Sequence, residues 1–351
     1  MLFDVVIVGA GPAGAACAAL CAQAGLKTAL VERTIFPREK VCGDCLNPAC
    51  WPILDRLSLS ERVLQLAHSV LESVEFIDLQ GRALSVPLAP GARGEIAIKR
   101  SLLDQLLLAR AQELGAHAFQ DHAVTHVDSG DFWTVHAGKQ IFHARKLVAA
   151  DGRNSTVARL LGRLPKPARD RIGLQTHIPA PAGFGARVAL RFLPHGYCGM
   201  ASVGEAQLNL CLVGRAQNIE SLKGWANAHF KIPADHPWRT ISPLARAPVT
   251  PLQGNLYLVG DAARVVEPFT GEGIYYALAS GELAANHLIS GTDHAYPAAH
   301  RALYRGRLWV NEFSRYAATH PKSASLILGI ARVAPGILRA LTTKVVGSAA
   351  R

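Results

Sequence analysis

Three glycines, Gly9, Gly11 and Gly14, stand between an apolar run, Val5 to Val8, and a small-residue stretch, Ala13 to Ala24. That order predicts a strand, a tight turn and a helix. The three glycines serve different ends. Gly9 permits the turn, Gly11 lets backbone approach a pyrophosphate, and Gly14 lets helix and strand touch. Pro12 and Ala13 open the helix, whose N-terminus then faces anionic phosphates. A second strand, Thr28 to Val31, ends at Glu32, about 20 residues past the glycines, where a carboxylate can accept from ribose hydroxyls. Strand, helix and acid together predict a dinucleotide site.

The stretch from Val5 to Leu26 carries no charge, so a secretion signal or membrane span is the rival reading. Asp4 sits where such a signal would carry positive charge, and the run continues into an ordered βαβ pattern. The expectation is a cytoplasmic protein, with association at a membrane surface left open. With 351 residues, 50% of them hydrophobic, the chain can bury a large core and build two or three domains. A net charge of +11 suits an anionic ligand, an acidic membrane surface or an acidic redox partner. The basic residues are scattered, without lysine blocks or a binding module, which argues against nucleic acid. Seven cysteines form an odd set with no secreted framework, so reduced thiols are expected. Cys42 and Cys45 make a C-x-x-C, readable as a redox pair or half a zinc site, but no second pair accompanies it and no metal is expected.

Further along, two strands flank a Gln80-Gly81 turn between Glu72 and Leu88. A helix follows Lys99-Arg100 and ends near Gly115, short strands lie around Val124 to Val127 and Phe132 to His136, and a buried strand runs from Phe142 to Ala150. Asp151-Gly152 leads into a helix at Thr156 to Leu161. Strands around Arg187 to Phe192, Gly199 to Val203 and Gln207 to Val213, then a helix at Ile219 to Phe230, predict a mainly antiparallel substrate sheet. The strand Leu256 to Val259 ends in Gly260-Asp261 and precedes a helix beginning near Gly273. The expected fold class is α/β: a Rossmann-type cofactor domain (1–71, 97–168 and 249–290) interleaved with an antiparallel-sheet substrate domain (72–96 and 169–248), followed by a helical C-terminal region (291–351). Apolar residues from Ala324 to Lys344, set among Lys322, Arg332, Arg339 and Lys344, read either as a basic amphipathic surface for lipid or as helices packed on the core, with core packing the default.

These motifs carry a family resemblance. From Met1 to about Leu288 the chain resembles class A flavoproteins of the para-hydroxybenzoate hydroxylase superfamily, and within them the geranylgeranyl reductase group. Phe36-Pro37-Arg38 with Lys40-Val41-Cys42-Gly43-Asp44, and Pro268 through Ile274 with Tyr275-Tyr276-Ala277-Leu278, are similar to that group's segments beside the isoalloxazine. The resemblance implies FAD as cofactor. It assigns cofactor contacts to Gly9, Gly11, Pro12, Ala13, Gly14, Glu32, Lys40, Cys42, Gly43, Val124, Asp151, Gly152, Gly260, Asp261, Pro268, Gly271, Gly273 and Ile274, and FAD phosphates to Arg100. Arg33, beside Glu32, is a candidate flank for the adenosine, and surface exposure is the competing role for both arginines. Independently, Asp261 at a strand end can accept from ribityl hydroxyls, and a helix N-terminus near Gly273 stabilises charge at the N1/O2 edge of the ring. Asp151 has a rival role as cap of the helix that follows.

The implied chemistry is reduction of carbon-carbon double bonds in an apolar, isoprenoid- or polyene-like substrate, small or lipid-borne. FAD would be reduced by NAD(P)H or an electron-transfer protein, and a protein acid would supply the proton. Cys42, His195, Tyr197 and Glu272 are the candidate acids, with Cys42 first. An FAD-dependent monooxygenase acting on an aromatic or isoprenoid substrate is the alternative, followed by a halogenase or a non-catalytic flavoprotein. A halogenase would show a Trp-x-Trp-x-Ile-Pro stretch, which Trp51, Trp133, Trp225, Trp238 and Trp309 do not form.

Overall fold

Strand Leu2–Val8 lies inside an eight-stranded sheet in which five neighbouring strands all run parallel. In spatial order these are Leu256–Leu258, Gln140–Ala149, Leu2–Val8, Thr28–Val31 and His117–Phe119. In the computed structural model, residues 2–167, 171–306, 312, 315–316 and 320–333 are described. Val5 to Val8 do not alternate with polar residues because both faces of the strand are covered. Val5 and Ile7 pack under helices Pro12–Gln23, Arg100–Glu113 and Gly273–Ser290, whereas Val6 and Val8 face the hairpin Val124–Ser129/Trp133–Ala137 and helix Thr156–Leu160. Each such fully buried aliphatic contributes roughly 1.5–3 kcal/mol.

The helix after the glycine turn has no apolar stripe because it is buried on nearly every side. Its alanines allow helix Gly273–Ser290 to cross it closely, and Pro12 takes the first-turn position where a missing N–H does no harm. Gly9 adopts φ +100°, and a side chain there would start 2.6 Å from the Ala150 carbonyl oxygen. A Cβ at Gly14 would collide with the carbonyl oxygen of Gly9. The turn therefore admits only glycine at both places.

The second sheet has seven strands in the order Arg239–Ile241, Arg171–Pro179, Gln207–Arg215, Gly196–Ser202, Arg187–Leu193, Ser73–Ile77 and Ala83–Pro87. Neighbours are antiparallel except for Ser73–Ile77 on Arg187–Leu193, which pair in parallel. The expected hairpin at Gln80-Gly81 is present, its turn held by Asp78 Oδ1 accepting from the backbone N–H of Gln80 and Arg82. Strand Arg171–Pro179 has no counterpart in the sequence reading. Arg171, Gln175 and Thr176 are polar yet buried, so the strand shows neither an apolar run nor an alternation. One face of this sheet is closed by helix Ile219–Phe230; the other meets the central cavity and helix Pro321–Val333, through Ala324, Leu328 and Ala331. The Ala324–Lys344 stretch is thus core-packed on one side where it is described, while its residues from 334 onward lie outside the described residues. A third, unanticipated sheet of three short strands, Cys45–Leu46, Ile96–Ile98 and His68–Val70, stands between the other two.

Candidate cofactor and substrate site

A continuous cavity of about 470 Å³ runs from the glycine turn, past the C-terminal ends of the parallel strands, to the inner face of the second sheet. Ligands of open α/β sheets bind at those strand ends. Of the expected cofactor residues, Gly9, Gly11, Pro12, Ala13, Glu32, Arg33, Lys40, Cys42, Gly43, Arg100, Val124, Asp151, Gly152, Gly260, Asp261, Pro268, Gly271, Gly273 and Ile274 line this one cavity. Gly14 lies behind the turn it makes possible.

At the glycine end the walls are cationic. The Arg38 guanidinium comes 3.7 Å from where a Gly11 Cβ would lie, and its Nη1 is 3.2 Å from Asp104 Oδ2. Arg100 grips the same Asp104 through two hydrogen bonds of 2.7 Å, so its charge is already partly committed. The sequence missed Arg38 as the arginine nearer the turn. Lys40 is pushed down to about 8, first by burial and then by Arg100, Arg38 and Arg153, which outweigh Asp261. Arg153 donates from Nη2 to Asp261 (2.9 Å), while its buried Nη1 has no hydrogen-bond partner among the described residues. Arg38, Lys40, Arg100 and Arg153, gathered beside a helix N-terminus, suit the pyrophosphate of FAD.

Glu32 and Asp151 are turned partly toward the protein. Glu32 Oε2 accepts from Ala10 N (2.8 Å), and its Oε1 accepts from the N–H and hydroxyl of Thr34. It fixes the glycine turn from the cavity wall. Asp151 Oδ2 accepts from Thr156 N (2.6 Å) and Val157 N (3.1 Å), so the capping role is real. Its buried Oδ1 has no partner among the described residues, and burial pushes the carboxyl up.

Opposite the glycines, the turn Pro268–Thr270 and Gly271 bring the N-terminus of helix Gly273–Ser290 to the cavity. The second sheet holds the facing loop. Asn209 Nδ2 donates to the Cys42 carbonyl (2.8 Å), Cys211 Sγ approaches the same oxygen (3.1 Å), and His177 Nε2 meets Asp44 Oδ2 at 2.8 Å. Beyond this loop the lining becomes apolar: Val74, Phe76, Leu190, Leu212, Leu244 and Phe269 belong to it, with Phe269 ringed by Phe76, Phe192 and Tyr197. No spacing rule marks these residues in the sequence, because Val74, Phe76, Leu190 and Leu212 are ordinary strand positions, while Leu244 and Phe269 sit in turns.

The four candidate acids separate. Cys42 lines the cavity with its thiol pushed up by burial against the opposing pull of Arg100. Tyr197 lines the apolar end, and burial raises it well above its ordinary value. Glu272 is buried behind the Gly271 turn and does not reach the cavity wall. His195 is exposed in the tight turn between strands Arg187–Leu193 and Gly196–Ser202, outside the cavity, and this removes it from the set. One acid was missed: Glu95, buried on the cavity wall at the head of strand Ile96–Ile98. An acid opening a short run of fully apolar strand residues was its only signal.

A twisted parallel sheet with a glycine-turn helix, interleaved with an antiparallel sheet that closes the ligand cavity, defines the dinucleotide-binding flavoproteins. A family model described as an FAD binding domain matches residues 3–174. The menaquinone reductase of Mycolicibacterium smegmatis is 31% identical over 333 residues, covering 83% of this chain and 78% of that one. The chain belongs to this family of FAD-dependent oxidoreductases. The geranylgeranyl diphosphate reductase of Rhodobacter capsulatus is 27% identical over 323 residues, covering 85% of this chain and 78% of that one. Among solved structures, a flavin-dependent brominase superposes with a TM-score of 0.78 at 21% identity, over 97% of this chain and 94% of that one, a likeness of fold alone. Among the described residues, no helix is long and apolar enough to cross a membrane.

Proposed function

We propose that this protein is an FAD-dependent reductase of carbon-carbon double bonds in an apolar, prenyl-type substrate. The observation that carries the reading is the change of lining along one cavity, from cations and glycines to an aliphatic and aromatic chamber with Phe269 at its junction. A chamber lined this way excludes water and rewards an apolar chain by about 25 cal/mol per Å² buried. Reduction of a prenyl quinone or prenyl diphosphate, named for two of the relatives above, fits such a lining.

Arg38, Lys40 and Arg100 would hold the FAD pyrophosphate, Asp261 the ribityl hydroxyls, and the helix at Gly273 the N1/O2 edge of the ring. Bound and reduced, FAD supplies a hydride. Residues Cys42 to Asp44, fastened to the second sheet by Asn209 and His177, keep the two halves of the cavity in register. The reductant is NAD(P)H or an electron-transfer protein. A lipid-borne substrate would be met at a membrane surface, for which the exposed Leu326 and Ile330 of helix Pro321–Val333 offer an apolar patch.

The test is to reduce the purified flavoprotein without oxygen and follow its absorbance while adding prenyl quinones, prenyl diphosphates and polyene acids one at a time. Anaerobic reoxidation with a gain of two hydrogens in the product is the expected result. Reoxidation by oxygen alone, with insertion of oxygen into an aromatic or prenyl compound, would replace this reading with the monooxygenase.

A further inference from the structure

We propose that Glu95 is the residue that protonates the substrate; the proposal rests on the double-bond reductase reading above. Glu95 heads strand Ile96–Ile98, the middle strand of the three-stranded sheet, where its carbonyl accepts from Leu71 N (2.9 Å) and so fixes the backbone. Trp51 Nε1 donates to the preceding carbonyl, that of Gly94, at 3.0 Å. The side chain leaves this anchored point toward the cavity. The residue is 6% exposed, its Oε2 is buried with no hydrogen-bond partner among the described residues, and its Oε1 lies 3.9 Å from where a Gly271 Cβ would stand. Gly271 is the turn that delivers the helix N-terminus to the isoalloxazine end. An unpartnered carboxyl at that place, beside the junction of polar cleft and apolar chamber, needs either a ligand atom or its own proton.

The surroundings favour the protonated form. Among the described residues, the groups acting on Glu95 are Glu272 from the start of helix Gly273–Ser290, Cys45 from its own sheet, and Cys50 from the turn Pro48–Cys50, and none of these is a cation. Burial first, and the like charge of Glu272 second, push Glu95 up to about 7. The rivals are weaker acids in place: burial drives the Cys42 thiol and the Tyr197 hydroxyl above their ordinary values. A carboxyl near neutrality is about thirtyfold stronger an acid than an ordinary thiol, and the best general acid titrates near the working pH.

The step balances. One alkene carbon receives the hydride with its two electrons, the O–H bond of Glu95 breaks with its electron pair left on the carboxylate, and the proton bonds to the other carbon. Glu95 regains a proton from solvent once the saturated product leaves.

Two readouts test this on the FAD-loaded protein. In the infrared, the protonated carboxyl band should titrate with a midpoint near 7 in the wild type, vanish in Glu95→Gln, and shift to lower pH in Glu272→Gln. In single turnover of the pre-reduced protein with a prenyl substrate, the wild-type rate should fall as pH rises through that midpoint. Glu95→Gln should lose about a hundredfold or more and its pH dependence, with partial recovery in Glu95→Asp. FAD retention checks that each variant is folded, and Glu95→Asp carries the test if the glutamine variant is not. A carboxyl titrating in the ordinary range, or a glutamine variant within about twofold of wild type, overturns the assignment of Glu95 alone. A wild type that no prenyl compound reoxidises overturns the reductase reading, and the destination of the proton with it.

Discussion

The two ends of the cavity are built on opposite principles. At the glycine end, function rests on residues that few others can replace: glycines where a Cβ collides, cations converging on one turn, and carboxylates that orient backbone. At the apolar end, no single residue is special, and the chamber exists because side chains from six strands of the second sheet, joined by Leu244 and Phe269, face the same way. The first end should therefore fail abruptly under single substitutions, and the second should degrade by degrees.

Gly14→Val is the most severe break. Its side chain must displace the Gly9 carbonyl, so we expect loss of FAD binding and at least about 3 kcal/mol of destabilisation, read from thermal unfolding and bound-flavin absorbance. Next comes the tie between the two ends. Arg171, on the second sheet, donates to both oxygens of Glu267 (3.0 and 2.6 Å) just ahead of the Pro268 turn, and both residues are buried. Arg171→Met leaves the carboxylate buried without its main partner and should cost about 3–5 kcal/mol in chemical denaturation; a protein as stable as wild type would show the two ends to be independent.

Lys40 sharpens the electrostatic side of the comparison. Its protonated form is disfavoured in the free protein, where Lys40 is pushed down to about 8, and would be favoured by a pyrophosphate bound beside it. Binding therefore takes up a proton above that pH, and FAD affinity should be highest below about 8 and fall as pH rises through it. Lys40→Gln should flatten this profile and weaken binding about tenfold, the scale of one charge-assisted hydrogen bond. Dissociation constants measured across the range decide it. The smallest effect belongs to the apolar end: Phe269→Ala should raise KM for an apolar substrate about threefold to tenfold while the FAD dissociation constant stays within about twofold. A larger effect on FAD than on KM would reverse the division drawn between the ends.

The same contrast explains what could be read without coordinates. The glycine turn, Glu32, Asp151-Gly152, Gly260-Asp261 and the Gly271 turn are visible because backbone geometry dictates their identity, and they do line one cavity. Strands Arg187–Leu193 and Gln207–Arg215 are visible by alternation, whereas Arg171–Pro179 is hidden by its buried polar residues. Glu95 escaped notice for a related reason. Its importance depends on which loop folds over it, and a carboxylate ahead of Ile96-Ala97-Ile98 looks like any strand end until Gly271 is placed alongside. His195 erred in the other direction, since closeness in sequence to Tyr197 says nothing about which side of a hairpin faces the cavity.

The parallel pairing of Ser73–Ile77 with Arg187–Leu193 sets Val74 beside Val188, as the first sheet sets Leu147 beside Leu256. Neither sheet can close until most of the chain has left the ribosome, and no single cut puts the two sheets on separate fragments. Such high contact order predicts slow folding and a long-lived collapsed precursor with unpaired strand edges. For this protein, the supply of cofactor and chaperone during synthesis should govern yield more than the stability of the finished fold.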